Sequence, residues 1–286
     1  MDGLHLKHKN SRLFDDWPQK YDQWFTTPIG SLVKKYEGEL VIELLRPSQG
    51  EIILDAGCGT GVFTLDILSL GAHVIGLDIS LPMLKWAAEK VNPVRNSSGV
   101  LAALSRRRSG LNPAGIILKS NPAAADGPEG LWPVGSKRGI ISNGVKRQPF
   151  QIVLADMLNL PFQKNSFDKV VSVTALEFIK DAKEAVRELF RVTKRDGIIV
   201  VATLNSLSPW ASLRKAQAKR GHAIFKEAIF RSPDEMRSLA PVNGMIKTAI
   251  HFEKDDEPDH VPEIEHEGQR NGLKTGAFLT ACWEKP

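Results

Sequence analysis

The chain has 286 residues, enough for one large α/β domain or two small ones, and its two cysteines exclude a disulfide framework and indicate a reducing, cytoplasmic setting. The formal charge is +5, but residues 93–148 alone carry nine Lys or Arg and two Asp or Glu, so the remainder is slightly acidic and disfavours a nucleic-acid-binding core. The first residues are polar, and no uncharged apolar run reaches ~20 residues, so we expect neither an export signal nor a membrane span.

Residues 13–45 predict a helical segment that carries a cluster of aromatic side chains, with a helix over 32–45 leading to the first strand. The cluster contains Phe14, Trp17, Tyr21, Trp24 and Phe25. Such residues fit an apolar helix face packed on a core, and they equally fit a cover over a ligand pocket.

The stretch EIILDAGCGTG at residues 51–61 predicts a ligand site. A short buried strand runs into Asp55 and a turn with glycine at positions 57, 59 and 61, and a helical pattern starts at Val62. Glycine lets the backbone come close to a ligand, and the unpaired N–H groups of a helix start favour a negative group. The dinucleotide fingerprint would need glycine at 62, and a P-loop would need a lysine after the glycines, so neither is present.

A second strand is predicted over residues 72–77, and it ends at Asp78. Ligands of open α/β sheets bind outside the carboxyl ends of the strands, where Asp55 and Asp78 would both lie. An ionised carboxylate accepts two hydroxyl donors, so Asp78 suits a ribose diol. Ser80 and Pro82 predict the start of the next helix, and Ser80 can cap that helix while Asp78 binds a ligand.

Residues 93–148 interrupt the pattern of alternating strands and helices. They contain eight glycines, five prolines and the triplet Arg106 to Arg108, without a sustained helical or strand period. We interpret this segment as a disordered basic insertion, within which residues 114–118 form either a short strand or an exposed apolar patch. The alternative is a basic arm that recruits RNA or an acidic partner.

A third strand, over residues 150–155, ends at Asp156 and Met157, and a fourth is predicted over 169–174. Three acidic residues thus follow three strands that are consecutive in the predicted sheet. The run DAGCGTG at residues 55–61 resembles motif I of the class I S-adenosylmethionine-dependent methyltransferases, and residues 154–179 resemble the same family from its third strand through its fourth.

The resemblance implies a bound S-adenosylmethionine, with its methionine carboxylate at the helix start and its adenine amino group donating to Asp156. Many members carry a Tyr-Asp pair like Tyr21-Asp22, and by resemblance the helix over 32–45 covers the cofactor while the Tyr21 hydroxyl reaches the cofactor carboxylate. The residues expected to bind the cofactor are Tyr21, Asp55, Ala56, Gly57, Cys58, Gly59, Gly61, Asp78, Ile79, Met83, Asp156, Met157 and Thr174.

The sequence of the C-terminal third of the chain predicts the remaining helix and strands of the fold. Asp181 caps a helix over 182–194, a fifth strand covers 198–204, and the strands over 246–253 and 276–284 form the antiparallel pair with which the family ends its sheet. Residues 255–271 are interpreted as a solvated loop. This loop holds His260 and His266, but its acidic residues and histidines lack the spacing of metal ligands, so no metal is expected.

The residues after the fourth strand give information about the substrate that would accept the methyl group. They lack the Asn-Pro-Pro-aromatic signature of amino-methylating nucleic-acid enzymes and the Pro-Cys nucleophile of the cytosine C5 type, which favours a small-molecule substrate. Methyl transfer from a sulfonium mainly requires that the nucleophile be held in line, and a base is needed only if the nucleophile arrives protonated. Glu177 is the best-placed candidate base, ahead of His222 and His251, although it fits a surface residue equally.

The alternation of strand and helix signals predicts an α/β fold with a mostly parallel sheet. The resemblance implies that this sheet is doubly wound and seven-stranded, of order 3-2-1-4-5-7-6 with strand 7 antiparallel. Residues 1–48 would form a helical lid, and residues 49–286 a methyltransferase domain interrupted at about 93–148. The resemblance is to ubiquinone- and menaquinone-biosynthesis-type methyltransferases, and it implies methyl transfer to a small molecule. The alternatives are a non-catalytic S-adenosylmethionine-binding protein and an RNA-associated methyltransferase.

Overall fold

A computed structural model describes residues 13–91, 116–118 and 149–286 of the chain. Most of the predicted insertion at 93–148 lies outside these described residues, so its predicted disorder stays a prediction. Within it, residues 116–118 form a short strand. This agrees with the first of the two interpretations of residues 114–118, a short strand or an exposed apolar patch.

The described residues form one eight-stranded sheet of order β3-β4-β2-β1-β5-β6-β8-β7. β8 is antiparallel to both of its neighbours, and the other paired strands are parallel. Without β3, this order is 3-2-1-4-5-7-6 with the last strand antiparallel, which confirms the predicted fold. The strands are β1 Ile52–Ala56, β2 His73–Asp78, β3 Ile116–Leu118, β4 Phe150–Leu154, β5 Phe167–Val173, β6 Thr193–Leu204, β7 Met245–Ala249 and β8 Phe278–Glu284.

The helices lie between these strands and before β1. They are α1 Pro18–Trp24, α2 Pro28–Leu45, α3 Val62–Ser69, α4 Leu81–Val91, α5 Ala182–Val192, α6 Pro209–Lys219, α7 Ala223–Glu227, α8 Pro233–Arg237 and α9 Val261–Arg270. Several helices begin at a capping residue, whose side chain accepts a backbone N–H of the first helical turn. These residues are Thr27, Asp181, Ser208 and Ser232.

Several predictions about individual elements were wrong, among them the strand predicted over 246–253, which ends at Ala249. α5 ends at Val192 rather than at 194 because β6 begins at once with Thr193, whose hydroxyl donates to the Leu189 carbonyl. Residues 255–271 are not a plain solvated loop, since they contain α9. Glu265 of α9 is buried and accepts the backbone N–H groups of Ile250 and His251, which ties the helix to the end of β7.

The core lies on both faces of the sheet, and the central strands are therefore almost continuously apolar. α2 packs on one face and buries an apolar stripe that includes Val33, Leu40, Val41, Leu44 and Leu45. α5 packs on the other face. The family resemblance had implied that the helix predicted over 32–45 covers the cofactor. In the structure this helix, α2, is instead part of the core layer.

Across the described parts of the chain, none of the helices combines the length and the apolar character that crossing a membrane would require.

Candidate functional site

A crevice of about 480 Å³ opens at the carboxyl ends of the central strands, where an open α/β sheet binds its ligands. Ten of the thirteen residues expected to bind a cofactor line this crevice: Tyr21, Gly57, Cys58, Gly59, Asp78, Ile79, Met83, Asp156, Met157 and Thr174. The fold brings them together from the segment before β1 and from the ends of β1, β2, β4 and β5.

The glycine turn forms the floor of the crevice. Gly57 has a φ of +81°, and a Cβ at this position would lie 2.4 Å from the Cβ of Ala175. Only glycine therefore lets β1 and the residues after β5 approach each other here. Gly61 precedes α3 and provides no side-chain cap, which leaves the first-turn N–H groups of α3 available to a ligand.

Asp78 stands at the end of β2 on the crevice wall. One carboxylate oxygen accepts the N–H of Gly59 at 2.9 Å, and the other accepts the N–H of Ser80 at 2.8 Å. These bonds fix the side chain and leave lone pairs for further donors, since a carboxylate offers about four acceptor sites. Burial raises the pKa of Asp78 above its usual value, and hydrogen bonds from the backbone N–H groups of Ser80, Gly59 and Ile79 oppose that rise.

Asp156 and Met157 follow β4 on the opposite side of the turn. The N–H of Leu158 donates to an Asp156 carboxylate oxygen at 2.9 Å and orients this side chain. Met157 is buried, and its terminal methyl lies close to Gly57. Asp78 and Asp156 thus bound the same crevice from neighbouring strand ends.

The segment before β1 covers the crevice with Phe14 and Tyr21. Phe14 packs edge-to-face on Phe178, with ring centroids 4.8 Å apart. The Tyr21 hydroxyl shares a hydrogen bond with the Thr174 side chain, and burial raises the pKa of Tyr21. Tyr21 therefore spans from α1 to the end of β5.

Asp22, the neighbour of Tyr21, holds α1 down. Its carboxylate accepts from the Thr60 hydroxyl at 2.7 Å, from the Trp86 ring N–H at 2.6 Å and from the Lys90 ammonium at 2.8 Å. One side chain thus joins α1 to the glycine turn and to α4.

Three predicted cofactor residues do not line the crevice. Asp55 is buried and accepts from the Thr64 hydroxyl at 2.5 Å, so its carboxylate is directed to α3 and supports the turn from behind. Burial raises the pKa of Asp55 to about 7. Ala56 is fully buried at the end of β1, and Gly61 packs α3 against Ala87 of α4.

Glu177 lies in a 3-10 turn, Leu176–Phe178, that follows β5. It is 1% exposed, so it is not a surface residue. The Thr203 hydroxyl donates to its carboxylate at 3.1 Å, and burial raises the pKa of Glu177 to about 7. The guanidinium of Arg231 donates to the carbonyls of Leu176 and Ile179 at 2.9 Å each and fixes the turn.

The backbone is strained at Thr174, where β5 leads into this turn. Thr174 has a φ of +48°, which a β-branched residue rarely adopts, and it lines the crevice. Such strain clusters at ligand sites, where surrounding contacts maintain it.

Two residues near Glu177 were missed by the sequence analysis. Glu37 is 7% exposed on α2, and burial raises its pKa to about 8. Arg214 of α6 lies over the ring of Trp210 at 5.2 Å and interacts electrostatically with both Glu37 and Glu177. A signal for Glu37 did exist, because it falls on the apolar stripe of α2 between Val33 and Leu40, where a charged residue must be buried.

The histidines proposed as weaker bases lie outside the crevice lining. His222 accepts the N–H of Phe225 at the start of α7, and its ring stacks on Phe225 with centroids 4.3 Å apart. His251 packs against Gly268 of α9. Within the described residues there is no group of three or more His, Cys, Asp or Glu side chains that could hold a metal ion.

Comparisons with known proteins agree with this geometry. Two family models, each described as a methyltransferase domain, match residues 53–107 and 137–201. A demethylmenaquinone methyltransferase of Thermobifida fusca is 24% identical over 78% of this chain and 79% of its own length. Two further proteins of that name, from Corynebacterium kroppenstedtii and Renibacterium salmoninarum, are covered to 60% and 56% of their lengths.

Structural similarity extends over nearly the whole chain. A Thermotoga maritima protein described as a possible histamine N-methyltransferase has a TM-score of 0.59 at 17% identity, with 96% of this chain and 99% of that chain covered. An uncharacterised protein of Methanocaldococcus jannaschii is 24% identical over 96% of this chain and 98% of its own length. The two matched regions are similar to methyltransferase domains, and the glycine turn and the strand order are similar to those of the class I S-adenosylmethionine-dependent methyltransferases.

Proposed function

We propose that this protein transfers the methyl group of S-adenosylmethionine to a small-molecule acceptor. The observation that carries the proposal is the crevice, in which a glycine turn and two carboxylates, Asp78 and Asp156, face one cavity at the strand ends. The similarity to two demethylmenaquinone methyltransferases supports the proposal, because the name of those proteins describes methyl transfer to a small molecule.

The crevice residues fit S-adenosylmethionine chemically. Asp78 can accept from the ribose hydroxyls, Asp156 can accept from the adenine amino group, and the start of α3 suits the methionine carboxylate. The cavity volume lies in the range of small-molecule and cofactor sites. When bound, S-adenosylmethionine supplies an electrophilic methyl group on a positively charged sulfur.

The chain's own residues then have two tasks. Phe14, Tyr21 and Phe178 cover the crevice and exclude water, which would otherwise compete with the acceptor. Thr174 and the turn that follows it hold the acceptor in line with the methyl group, and positioning of this kind contributes up to ~7–11 kcal/mol. Glu177 is the proposed base for an acceptor that arrives protonated.

The domain boundaries follow from the same geometry. We propose that the lid is confined to about residues 13–25, and that α2 and all following elements form the methyltransferase unit. α2 belongs to the unit because its buried stripe is part of the core cluster.

Calorimetric titration with S-adenosylmethionine tests the cofactor, and methyl transfer to an ultrafiltered small-molecule extract tests the reaction. We expect saturable binding and labelled low-molecular-weight products from S-adenosylmethionine that carries a radioactive methyl group. Binding without any transfer would support the alternative of a non-catalytic S-adenosylmethionine-binding protein. Absence of binding would contradict the proposal.

The RNA-associated alternative is tested by RNA binding at increasing salt, with the intact chain and with a variant that lacks residues 93–148. Phosphate contacts give a steep fall of affinity with salt. We expect no steep, deletion-sensitive RNA binding, and its detection would favour the alternative.

A further inference from the structure

Residues 207–231 carry a concentration of positive charge that the proposed function does not use. They contain six Lys or Arg and one Glu, a net charge of +5, whereas the chain outside residues 93–148 is slightly acidic as a whole. These residues form α6, α7 and the stretch that leads to α8. We call their outward side the α6–α7 surface, and its exposed cationic and large aliphatic residues are Leu207, Leu213, Lys215, Lys219, Arg220, Lys226 and Ile229.

The four cations of the α6–α7 surface have no carboxylate partner among the described residues. Lys215, Lys219, Arg220 and Lys226 are absent from every salt bridge that the described residues form with one another. The one carboxylate of the segment, Glu227, is also exposed. Neighbouring cations without an internal partner create a positive potential, so this surface attracts an anionic partner.

Aliphatic side chains are exposed among these cations. Leu207, Leu213 and Ile229 are between 38% and 52% exposed. On α6, Leu213 shares the outward side with Lys215 and Lys219, because all three are exposed and the buried residues of the helix lie on its other side. The partner of this surface therefore has to accommodate apolar groups as well as positive charge.

Contacts between cations and rings hold α6, α7 and the stretch after them together. The guanidinium of Arg214 in α6 lies 5.8 Å from the ring centroid of Phe225 in α7. The ammonium of Lys215 lies 5.5 Å from the ring centroid of Phe230, the neighbour of Ile229 in the chain. The cations and the aliphatic side chains thus belong to one packed unit.

This unit is hydrogen-bonded to the turn beside the crevice. The backbone N–H of Ile229 donates to the carbonyl of Glu177 at 2.8 Å, and the guanidinium of Arg231 donates to the carbonyl of Ile179 at 2.9 Å. Phe178 and Ile179 line the crevice. A partner bound to the α6–α7 surface would therefore lie near the crevice.

We propose that the α6–α7 surface binds anionic lipid membranes peripherally. Its lysines and its arginine lie among the lipid phosphates, and its aliphatic side chains enter the boundary between the head groups and the acyl chains. Such binding requires no membrane-spanning helix. The inference goes beyond the proposed methyl transfer and does not depend on it.

The apolar residues favour a lipid surface over a nucleic acid, although both present phosphate groups. Proteins that bind single-stranded nucleic acids stack the bases on exposed aromatic rings. Here Trp210 is buried, and Phe225 and Phe230 pack against Arg214 and Lys215. Exposed aliphatic side chains gain free energy at the acyl boundary, where apolar surface leaves water.

Flotation of the intact protein with vesicles in a density gradient tests the proposal. One set of vesicles contains phosphatidylglycerol and phosphatidylcholine in equal amounts, and the other contains phosphatidylcholine alone. We expect a partition coefficient at least tenfold higher for the anionic vesicles, and we expect it to fall as salt is added because salt screens exposed charges.

A matched pair of double variants assigns the binding to this surface. Lys219→Gln with Lys226→Gln removes two of its charges, and Lys164→Gln with Lys254→Gln removes two exposed lysines elsewhere. Each cation close to an anionic membrane contributes to binding, so we expect the first pair to lower the partition coefficient at least tenfold more than the second. Unchanged thermal unfolding verifies that both variants are folded.

A second pair tests the aliphatic contribution at constant charge. Leu213→Ser alters the α6–α7 surface, and Met245→Ser alters an exposed apolar residue of β7. We expect Leu213→Ser to lower partition into the anionic vesicles at least threefold and Met245→Ser to leave it unchanged. Equal partition of the two serine variants would contradict insertion of the aliphatic side chains and overturn the proposal.

Three further outcomes would overturn the proposal. One is equal partition into the two kinds of vesicle. The second is an equal loss in the two double lysine variants, which would show that cations elsewhere in the chain carry the binding. The third is binding to polyuridylate, and not to the anionic vesicles, that is lost in the variant with Lys219→Gln and Lys226→Gln, which would assign the surface to nucleic acid.

Discussion

At the scale of single residues, two aspartates that follow adjacent strands have different environments. Asp55 accepts from Thr64 behind the glycine turn, whereas Asp78 lines the crevice and accepts hydrogen bonds from backbone N–H groups. Because its remaining lone pairs face the cavity, Asp78 is the carboxylate on which the affinity for S-adenosylmethionine should depend most.

Asp78→Asn is expected to weaken S-adenosylmethionine binding by ~2 kcal/mol or more, about 30-fold, because the amide offers fewer acceptor sites and lacks the charge. Isothermal titration calorimetry measures this loss. Asp234→Asn, which alters an exposed aspartate of α8, serves as the control. An unchanged affinity in the Asp78 variant would refute its assignment to the ribose.

Gly57→Ala should abolish cofactor binding by blocking the close approach of β1 to the residues after β5. Gly50→Ala is a matched control, since Gly50 has the same φ of +81° but no atom within 4 Å of its would-be Cβ. Both variants carry the backbone penalty of ~1 kcal/mol, and only the first adds the clash with Ala175. Thermal unfolding and calorimetry check the pair, and equal losses of stability and affinity would contradict the close-approach argument.

At the scale of elements, the segment 13–25 is held over the crevice by few side chains. Asp22 connects α1 to the glycine turn and α4, and the Ser80 hydroxyl donates to Asp15 at 2.9 Å. By contrast, α2 is fastened by its buried apolar stripe. The covering segment is therefore the part of the fold that local changes can release without unfolding the core.

Asp22→Asn is expected to loosen α1, because the Lys90 ammonium loses its ionic partner. The loss should be ~1–3 kcal/mol, since hydrogen bonds to a partly buried charge are involved. Hydrogen exchange measured by mass spectrometry should show faster exchange at residues 18–25, with the central strands unaffected. Asp16→Asn, an exposed change in the same segment, is the control. Unchanged exchange at residues 18–25 would show that other contacts hold the segment.

At the scale of the whole molecule, several carboxyl groups are buried where their neutral form is favoured. Burial raises the pKa of Glu37 from 4.5 to about 8, and it raises those of Asp55 and Glu177 to about 7. Between the ordinary and the raised pKa values the folded state binds more protons than the unfolded state. The free energy of unfolding therefore falls as the pH rises through this window.

We expect the ligand-free protein to be less stable at pH 8 than at pH 5.5, as measured by urea unfolding. Glu37→Gln should flatten this dependence, because each unit of raised pKa costs about 1.4 kcal/mol once the group must ionise. Tyr21, Lys34, Glu177 and Arg214 face Glu37 and remain in the variant. Glu39→Gln should keep the original dependence, and equal stability at both pH values would contradict the prediction.

Local sequence patterns predicted the alternating strands and most of the crevice, and the family resemblance implied the strand order. Buried strands, glycine at 57, 59 and 61, and acidic residues at strand ends are short-range signals, and parallel strands necessarily bring their carboxyl ends to one edge. Ten of the thirteen predicted cofactor residues were found there for this reason. The strand at 116–118 pairs with β4 in addition to the predicted seven.

The tertiary structure alone decided which way individual side chains face and what they meet. Asp55 is directed to Thr64, α2 joins the core, and Glu37 meets Glu177 and Arg214, residues far away in the chain. These relations arise from the packing of distant segments, whose geometry no local period encodes. The pattern of α2 shows that Glu37 is buried, but only the packed fold gives it Arg214 and Glu177 as electrostatic partners.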